Sequence, residues 1–266
     1  MSRTVLYLPI IGFIVFLIIT WKYFDYKQIW NYLKIADLSL IIVVLFLTIS
    51  QILTATLRFN FFLKACGTET RIKDCMHAVL TALSINSVVP GKGGDVAKAI
   101  VLAKNKDEIL KYSGITAIEK LCDLCVLSAF TFIGATLIQN AFWQFLSLGA
   151  IILFISLLLG LKFADKLPIW GIKLQVLPEL IISIFRNRFS FLSGILFCIL
   201  LWMVNLTIIF LLLISVDAGV SASQIISYWP LSMLTGMLPI TISGFGTRDT
   251  AFIYALGESL NNTKLF

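Results

Sequence analysis

Three groups of polar residues interrupt an otherwise apolar chain, and their types and spacing limit the chemistry open to it. The first is Asn86-x-x-x-Pro90-Gly91-Lys92-Gly93-Gly94-Asp95-x-x-Lys98. Glycines let a backbone turn sharply and present its N–H groups. A half-helix beginning after Asp95 would point its positive dipole end into the same pocket. With Lys92 and Lys98 nearby, the segment could hold an anionic group such as a lipid phosphate. It is not a P-loop, because the G-x-x-x-x-G-K-[ST] spacing is absent. Plainer roles stand beside this one: Asp95 as a helix N-cap and Lys98 as a snorkelling cation.

The second group is Glu119-Lys120-x-x-Asp123. Positions four apart share a helix face, so Glu119 and Asp123 point the same way, and Lys120 can partly neutralise Asp123 from three positions before it. Ionisable groups cost several kcal/mol at the centre of a bilayer, so they usually face an interior cavity and mark function. The plainer reading is a structural ion pair, or a position near the cytoplasmic edge. The third group is Pro239-Ile240-Thr241-Ile242-Ser243-Gly244-Phe245-Gly246-Thr247-Arg248-Asp249. Thr247 is placed to cap a helix, with Asp249 in its first turn. Arg248 could clamp a phosphate with two parallel hydrogen bonds, or simply pair with Asp249, Glu119 or Asp123. Metal and nucleophile chemistry find little support. His77 is the single histidine, with no metal-spaced cluster and no Ser-His-Asp or Cys-His set around it. Cys122-x-x-Cys125 lies within a hydrophobic helix and reads as packing, as do the other cysteines. No metal and no cofactor is expected.

The elements that position these groups are membrane spans. Of 266 residues, 59% are hydrophobic and 13% charged, and the mean hydropathy is +0.97. Soluble domains carry about 45–50% apolar and about 25% charged residues, so the surplus apolar surface must face lipid. The net charge of +7 sits between apolar runs, where cytoplasmic loops meet anionic lipid, and no nucleic-acid surface is visible. Spans are predicted at about 5–21, 38–57, 113–138, 142–161 and 189–216, each near the length of about 20 residues that a bilayer requires. The first, Val5–Trp21, reads as an uncleaved span rather than a signal peptide.

Two further segments, 75–103 and 222–256, are apolar but broken by Pro and Gly. Irregular backbone at membrane depth must be buried in protein or line a wet cavity, so both are predicted as re-entrant or discontinuous helical hairpins. Arg58, Lys64, Arg71 and Lys73 after the second span, and Lys162 to Arg188 between the fourth and fifth, place the N-terminus inside; Lys22, Lys27 and Lys34 run against it. The broken segments then enter from opposite faces, the pointer to an inverted repeat with a midplane site. Leu180–Phe185, in the longest polar stretch, is expected to be part of an interfacial helix. The expected fold is all-α: a single polytopic transmembrane bundle over residues 1–266.

The trio Asn86…Pro90…Gly94-Asp95-x-x-Lys98, Glu119-Lys120-x-x-Asp123 and Pro239-Ile240…Gly244-x-Gly246-x-Arg248-Asp249, in that order and between those spans, resembles the lysylphosphatidylglycerol synthase transmembrane-domain family of flippase-like membrane proteins. The resemblance runs from the second span onward. It implies a helical bundle in the cytoplasmic membrane of a bacterium or archaeon, which binds and moves a phosphate-bearing lipid such as an aminoacyl-phospholipid or a polyprenyl-phosphate glycolipid. Membrane lipids, and in some cases a transferase, are the implied partners. The alternative from another class is a membrane-embedded transferase or accessory subunit acting on polyprenyl-phosphate sugars, with Asp95 or Glu119 as general base; a scaffold for a partner enzyme is a third. Lys98 and Lys120 stand where many relatives have arginine, a change that matters at a bidentate site. The sequence holds no soluble synthase domain, so it is not expected to make lysyl-lipid by itself, and it ends soon after the third motif, as a short variant or fragment would.

Overall fold

The computed structural model describes residues 36–86, 93–166, 176–216, 219–237 and 247–263, together with Lys27, Trp30 and Lys34. The predicted first span lies outside the described residues, as do Pro90, Lys92, Pro239, Gly244 and Gly246.

Helix α1 (Leu38–Ala65) begins where the Asp37 carboxylate accepts the Ser39 N–H at 2.9 Å, satisfying a donor that has no partner within the helix. It ends in a Schellman turn: Thr68 N–H reaches Leu63 O at 2.9 Å, Gly67 N–H reaches Lys64 O at 3.0 Å, and Gly67 sits at φ +69°, a conformation in which a Cβ would be strained. Next come α2 (Ile72–Asn86), a 3₁₀ turn (Gly93–Asp95) and the short α3 (Val96–Leu102). Helix α4 (Lys106–Leu137) is capped by Asn105, which accepts from Glu108 N–H at 2.9 Å. Gln139, at φ 54°, turns the chain, and Asn140 caps α5 (Ala141–Gly160). A 3₁₀ turn (Leu161–Lys166), α6 (Val176–Arg186) and α7 (Arg188–Ser215) follow. The Ser221/Gln224 capping box starts α8 (Ala222–Gly236), which carries Pro230 in its interior, and α9 (Thr247–Thr263) closes the described chain.

Four of these helices are long and apolar enough to cross a membrane: Leu38–Ala65, Lys106–Leu137, Ala141–Phe163 and Arg188–Ser215. They coincide with the last four predicted spans, and the described residues contain no strand. The fold is an all-α membrane bundle. Phe142, Phe145, Ile152 and Leu153 of α5 lie exposed; an apolar face of this size belongs against acyl chains.

Helices α1 and α7 pack antiparallel. Asp37 N–H donates to Ser215 O at one end, and Ser183 and Asn187 donate to Ala65 O at the other. Between them Phe61 stacks on Phe197 at 5.3 Å, and Phe62 meets Phe191 edge-on at 5.9 Å, geometries that aromatic quadrupoles favour. The core is apolar around Phe59, Phe62, Leu63, Ile115, Ile118, Leu127 and Ile225. Gly134 of α4 lies against the backbone of Ile226 and Ser227, where any Cβ would collide, so its missing side chain brings α4 and α8 together. The interfacial-helix expectation has its counterpart in α6, which buries Leu180, Ile181 and Ile184 and exposes Glu179 and Arg186.

The two interrupted segments start at opposite ends of the bundle. Asn60 donates to Thr70 O at 3.1 Å just before α2, which places the start of α2 near the end of α1. Helix α8 begins beside Gly134, near the end of α4.

Candidate functional site

Arg58 organises the centre of the bundle. The sequence places it at the end of a span, among the cationic loop residues. The structure instead continues α1 through Arg58 to Ala65 and leaves Arg58 only 6% exposed. Its Nη2 donates to Glu119 Oε1 at 2.6 Å and its Nη1 to Asp123 Oδ1 at 2.5 Å. A buried charge demands a partner, and Glu119 and Asp123, one turn apart on α4, supply two oxygens to one planar guanidinium. Trp202 of α7 adds a third tie by donating Nε1–H to Asp123 Oδ1 at 3.2 Å.

The other oxygen of Glu119 accepts from Lys98 Nζ at 2.9 Å. Lys98 is 4% exposed, and its ammonium also lies 5.0 Å from the centroid of Phe59, within cation–π range. Lys98 is therefore a buried member of the network rather than a snorkelling cation. Lys120 still acts on Asp123 through space, as expected, but its direct contact is with Asp95 Oδ2 at 2.6 Å, while Arg58 makes the direct contact to Asp123. Asp95 also lies 3.7 Å from Lys98 and accepts from Asn86 Nδ2 at 3.2 Å. It occupies the N-cap position of α3 without a side-chain capping bond, its carboxylate being drawn to the lysines instead. Because α3 has only seven residues, its dipole adds little beside these full charges.

Gly94 makes this corner feasible. A Cβ there would come within 2.6 Å of Asn86 N and 2.9 Å of Ala82 O, so only glycine lets the 3₁₀ turn close onto α2. Gly236 does the same across the cavity, where a Cβ would stand 2.9 Å from Arg248 Cβ. That approach sets Arg248, from the first turn of α9, with Cζ 5.5 Å from the Trp229 ring centroid and Nε 2.9 Å from Asp249 Oδ1. Trp229 in turn donates to Asn205 Oδ1 at 2.8 Å.

These groups enclose a cavity of about 450 Å³. Arg58, Asp95, Lys98, Lys120, Asp123 and Arg248 line it, with Asn86, Trp202 and Asn205 also in its wall. Of its cations, Arg58 and Lys98 have side chains 8% and 6% exposed, whereas Lys120 and Arg248 reach 30% and 25%. Among the described residues one network joins Arg58, Lys98 and Lys120 to Asp95, Glu119 and Asp123, and Arg248 pairs separately with Asp249. These described charges balance. An incoming anion competes with a carboxylate, and the two more exposed cations are the ones it can reach.

Asn86, Asp95, Lys98, Lys120, Asp123 and Arg248 thus line one cavity from three separate stretches of sequence, with Gly94, Glu119 and Asp249 in contact with these lining residues. The sequence reading passed over Arg58, Trp202 and Asn205. A signal for Arg58 was present: Phe59, Phe61, Phe62 and Leu63 follow it, too apolar a continuation for a loop. Trp202 and Asn205 gave no local signal.

The family model for the lysylphosphatidylglycerol synthase TM region matches residues 9–260 of the chain. The chain is also similar to a UPF0104 membrane protein of Methanocaldococcus jannaschii, 28% identical over 242 aligned residues that cover 79% of this chain and 71% of the relative. No solved structure matches.

Proposed function

This chain belongs to the lysylphosphatidylglycerol synthase transmembrane family, a family of multi-pass membrane proteins, and from that premise we propose that it binds the headgroup of a phosphate-bearing lipid in the central cavity and carries it across the cytoplasmic membrane. The observation that supports this reading is a buried ion-pair cluster lining a cavity inside a bundle of membrane helices. Helix α4 spans about 48 Å at 1.5 Å per residue, and Glu119 lies near its middle. Charged groups cost several kcal/mol there unless paired, and such groups mark pathways.

In this reading Lys120 and Arg248 exchange their carboxylate partners for the phosphate. Arg58 and Lys98, both occupied by Glu119, fix the position of α4 against α1 and α3. Because the described charges balance, a headgroup with one ammonium to its one phosphate, as in a neutral-side-chain aminoacyl-phospholipid, leaves them balanced; a lysyl headgroup adds one positive charge, and a polyprenyl-phosphate glycolipid enters with a compensating proton or cation. The two interrupted segments, entering from the cytoplasmic face at α2 and from the outer face at α8, are re-entrant hairpins, with the N-terminus inside. A transferase reading needs Asp95 or Glu119 as general base, yet Glu119 has a cation on each oxygen, which favours translocation.

The test is leaflet exchange of fluorescent phosphatidylglycerol and polyprenyl-phosphate probes in proteoliposomes. Wild type is expected to exceed protein-free vesicles. Arg248→Ala is expected to lose about tenfold or more, the effect of removing one charge-assisted contact of about 1.5–3 kcal/mol, while still inserting and eluting as monodisperse protein; Glu119→Gln, which strands Arg58 and Lys98, is expected to lose exchange together with stability. Equal rates in wild type and protein-free vesicles for both probes would overturn the proposal; consumption of a sugar donor under those conditions would put the transferase in its place.

A further inference from the structure

A second cavity, of about 350 Å³, lies on the far side of the Asp95–Lys120 pair. Asp95 and Lys120 line both cavities, so the ion pair is their common wall. The character of the space changes across that wall. The central cavity carries six charged side chains among apolar ones such as Ile52, Val79 and Leu201, whereas beyond the shared pair the second has no further charge and is bounded by Val96 of α3, Ala117 and Leu124 of α4 and Met237 at the end of α8, with the hydroxyls of Ser113 and Thr116. Val96 is 52% exposed and Ala117 is also exposed, so this cavity opens on the outer, lipid-facing side of the bundle between α3 and α4. Lys120 stands fourteen residues into α4, about 21 Å along its axis, where the apolar part of this membrane helix begins.

We propose that the second cavity is a lateral portal that seats the alkyl chain next to a lipid's phosphate, while the headgroup occupies the central cavity and the phosphate replaces Asp95 as the partner of Lys120. The proposal rests on the reading of the central cavity as a headgroup site and adds where the lipid enters and how its two ends are divided. The chemistry sets the order of parts. In any phospholipid or polyprenyl phosphate the phosphate ester joins a polar end to an alkyl end. Here a cavity rich in charge and a smaller, more apolar one meet at one ammonium, itself 30% exposed at the side chain and 2.6 Å from the carboxylate it would leave. An apolar chain left in the portal stays in contact with bilayer, so only the headgroup is removed from its surroundings. A strongly polar solute would gain little from walls of Val96, Ala117, Leu124 and Met237, beside which the Thr116 hydroxyl already donates to Tyr112 O.

The test uses the whole protein in lipid nanodiscs with two photoactivatable probes, a phosphatidylglycerol and a polyprenyl phosphate, each carrying a diazirine on the chain near the phosphate. Adducts are mapped by mass spectrometry. Glycerol 1-phosphate, a headgroup without a chain, is titrated in parallel by tryptophan fluorescence. Adducts are expected at Val96, Ala117, Leu124 or Met237, and the probe that yields them identifies the chain as acyl or prenyl. Ala117→Phe and Val96→Trp, both on the exposed rim, are expected to cut adduct yield about tenfold, the effect of about 1.4 kcal/mol of lost fit. They should leave glycerol 1-phosphate binding within about twofold, whereas Gly149→Phe on α5, where nothing lies within 4 Å, changes neither readout. Adducts spread over the outer faces of α5 and unchanged by both rim variants, with glycerol 1-phosphate still bound, would overturn the portal and leave the headgroup site standing. Failure of the wild type to bind glycerol 1-phosphate, together with no adducts at these positions, would overturn both.

Discussion

Arg58 shows how one residue changes the meaning of its neighbours. As a loop cation it would merely report orientation. Buried between Glu119 and Asp123, it is the counter-charge that lets two carboxylates sit one turn apart inside a membrane helix. Removing one partner of a buried ion pair costs about 3–5 kcal/mol, because the other is left desolvated and uncompensated. Arg58→Met is therefore expected to lower stability by about that amount, read as a fall in the melting temperature of detergent-solubilised protein. Adding Asp123→Asn to Arg58→Met should recover part of the loss, since it removes one stranded charge. If the single variant melts with wild type, the buried network is not what holds α1 to α4. The sequence made Glu119 and Asp123 legible because helical spacing alone puts them on one face. Their true partner lies sixty-five residues before Asp123, and no local pattern assigns it.

At the scale of elements, glycine decides where helices touch. Gly94 lets the 3₁₀ turn close on α2, Gly134 lets α8 reach α4, and Gly236 lets α9 bring Arg248 to the cavity. Gly94→Ala and Gly134→Ala each drive a methyl into backbone, and overpacking of this kind costs about 1–3 kcal/mol. Both are expected to lower the melting temperature, whereas Gly149→Ala, with open space around its Cβ position, should melt at or above the wild-type temperature. Equal melting of all three variants would contradict the close approaches. The glycine-rich stretch around Gly94 was visible in the sequence as a sharp turn presenting amides. Among the described residues its contribution is the close contact of Gly94 to Asn86 and Ala82, which sets Asp95 beside Lys120. Gly134 and Gly236 carried no such signal, because a glycine inside an apolar helix looks the same whether lipid or another backbone lies against it.

The whole molecule has a direction. Gln139 lies at the end where α4 finishes, whereas Lys73 and Lys106 lie at the ends where α2 and α4 begin, and all are exposed. In sealed right-side-out vesicles, Gln139→Cys is expected to react with an impermeant maleimide, and Lys73→Cys and Lys106→Cys only after permeabilisation. The reverse pattern would invert the orientation but keep the opposition of the ends; labelling of all three from one side would break the topology. The native Cys66 should not confuse the readout, since burial pushes its thiol up to about 12 and the reactive thiolate is scarce at neutral pH. The same shift has a stability sign. A folded pKa above the ordinary 9.0 means the unfolded chain loses this proton first, so Cys66 favours the folded state below about pH 9 and that contribution is lost as pH climbs toward 12.

By itself the sequence determined the class of solvent around this protein, four of its membrane helices, the order of its three polar motifs and the family to which they belong. Those features follow from hydropathy, period and short spacing, which are properties of neighbours along the chain. Only the tertiary structure decided that Arg58 is interior, that Lys120 touches Asp95 directly, and that this pair stands between a cavity rich in charge and a second, more apolar one. In a low-dielectric interior an ion pair forms between whichever opposite charges the packed helices bring within reach, and that choice belongs to the contacts of α1, α3 and α4 with one another.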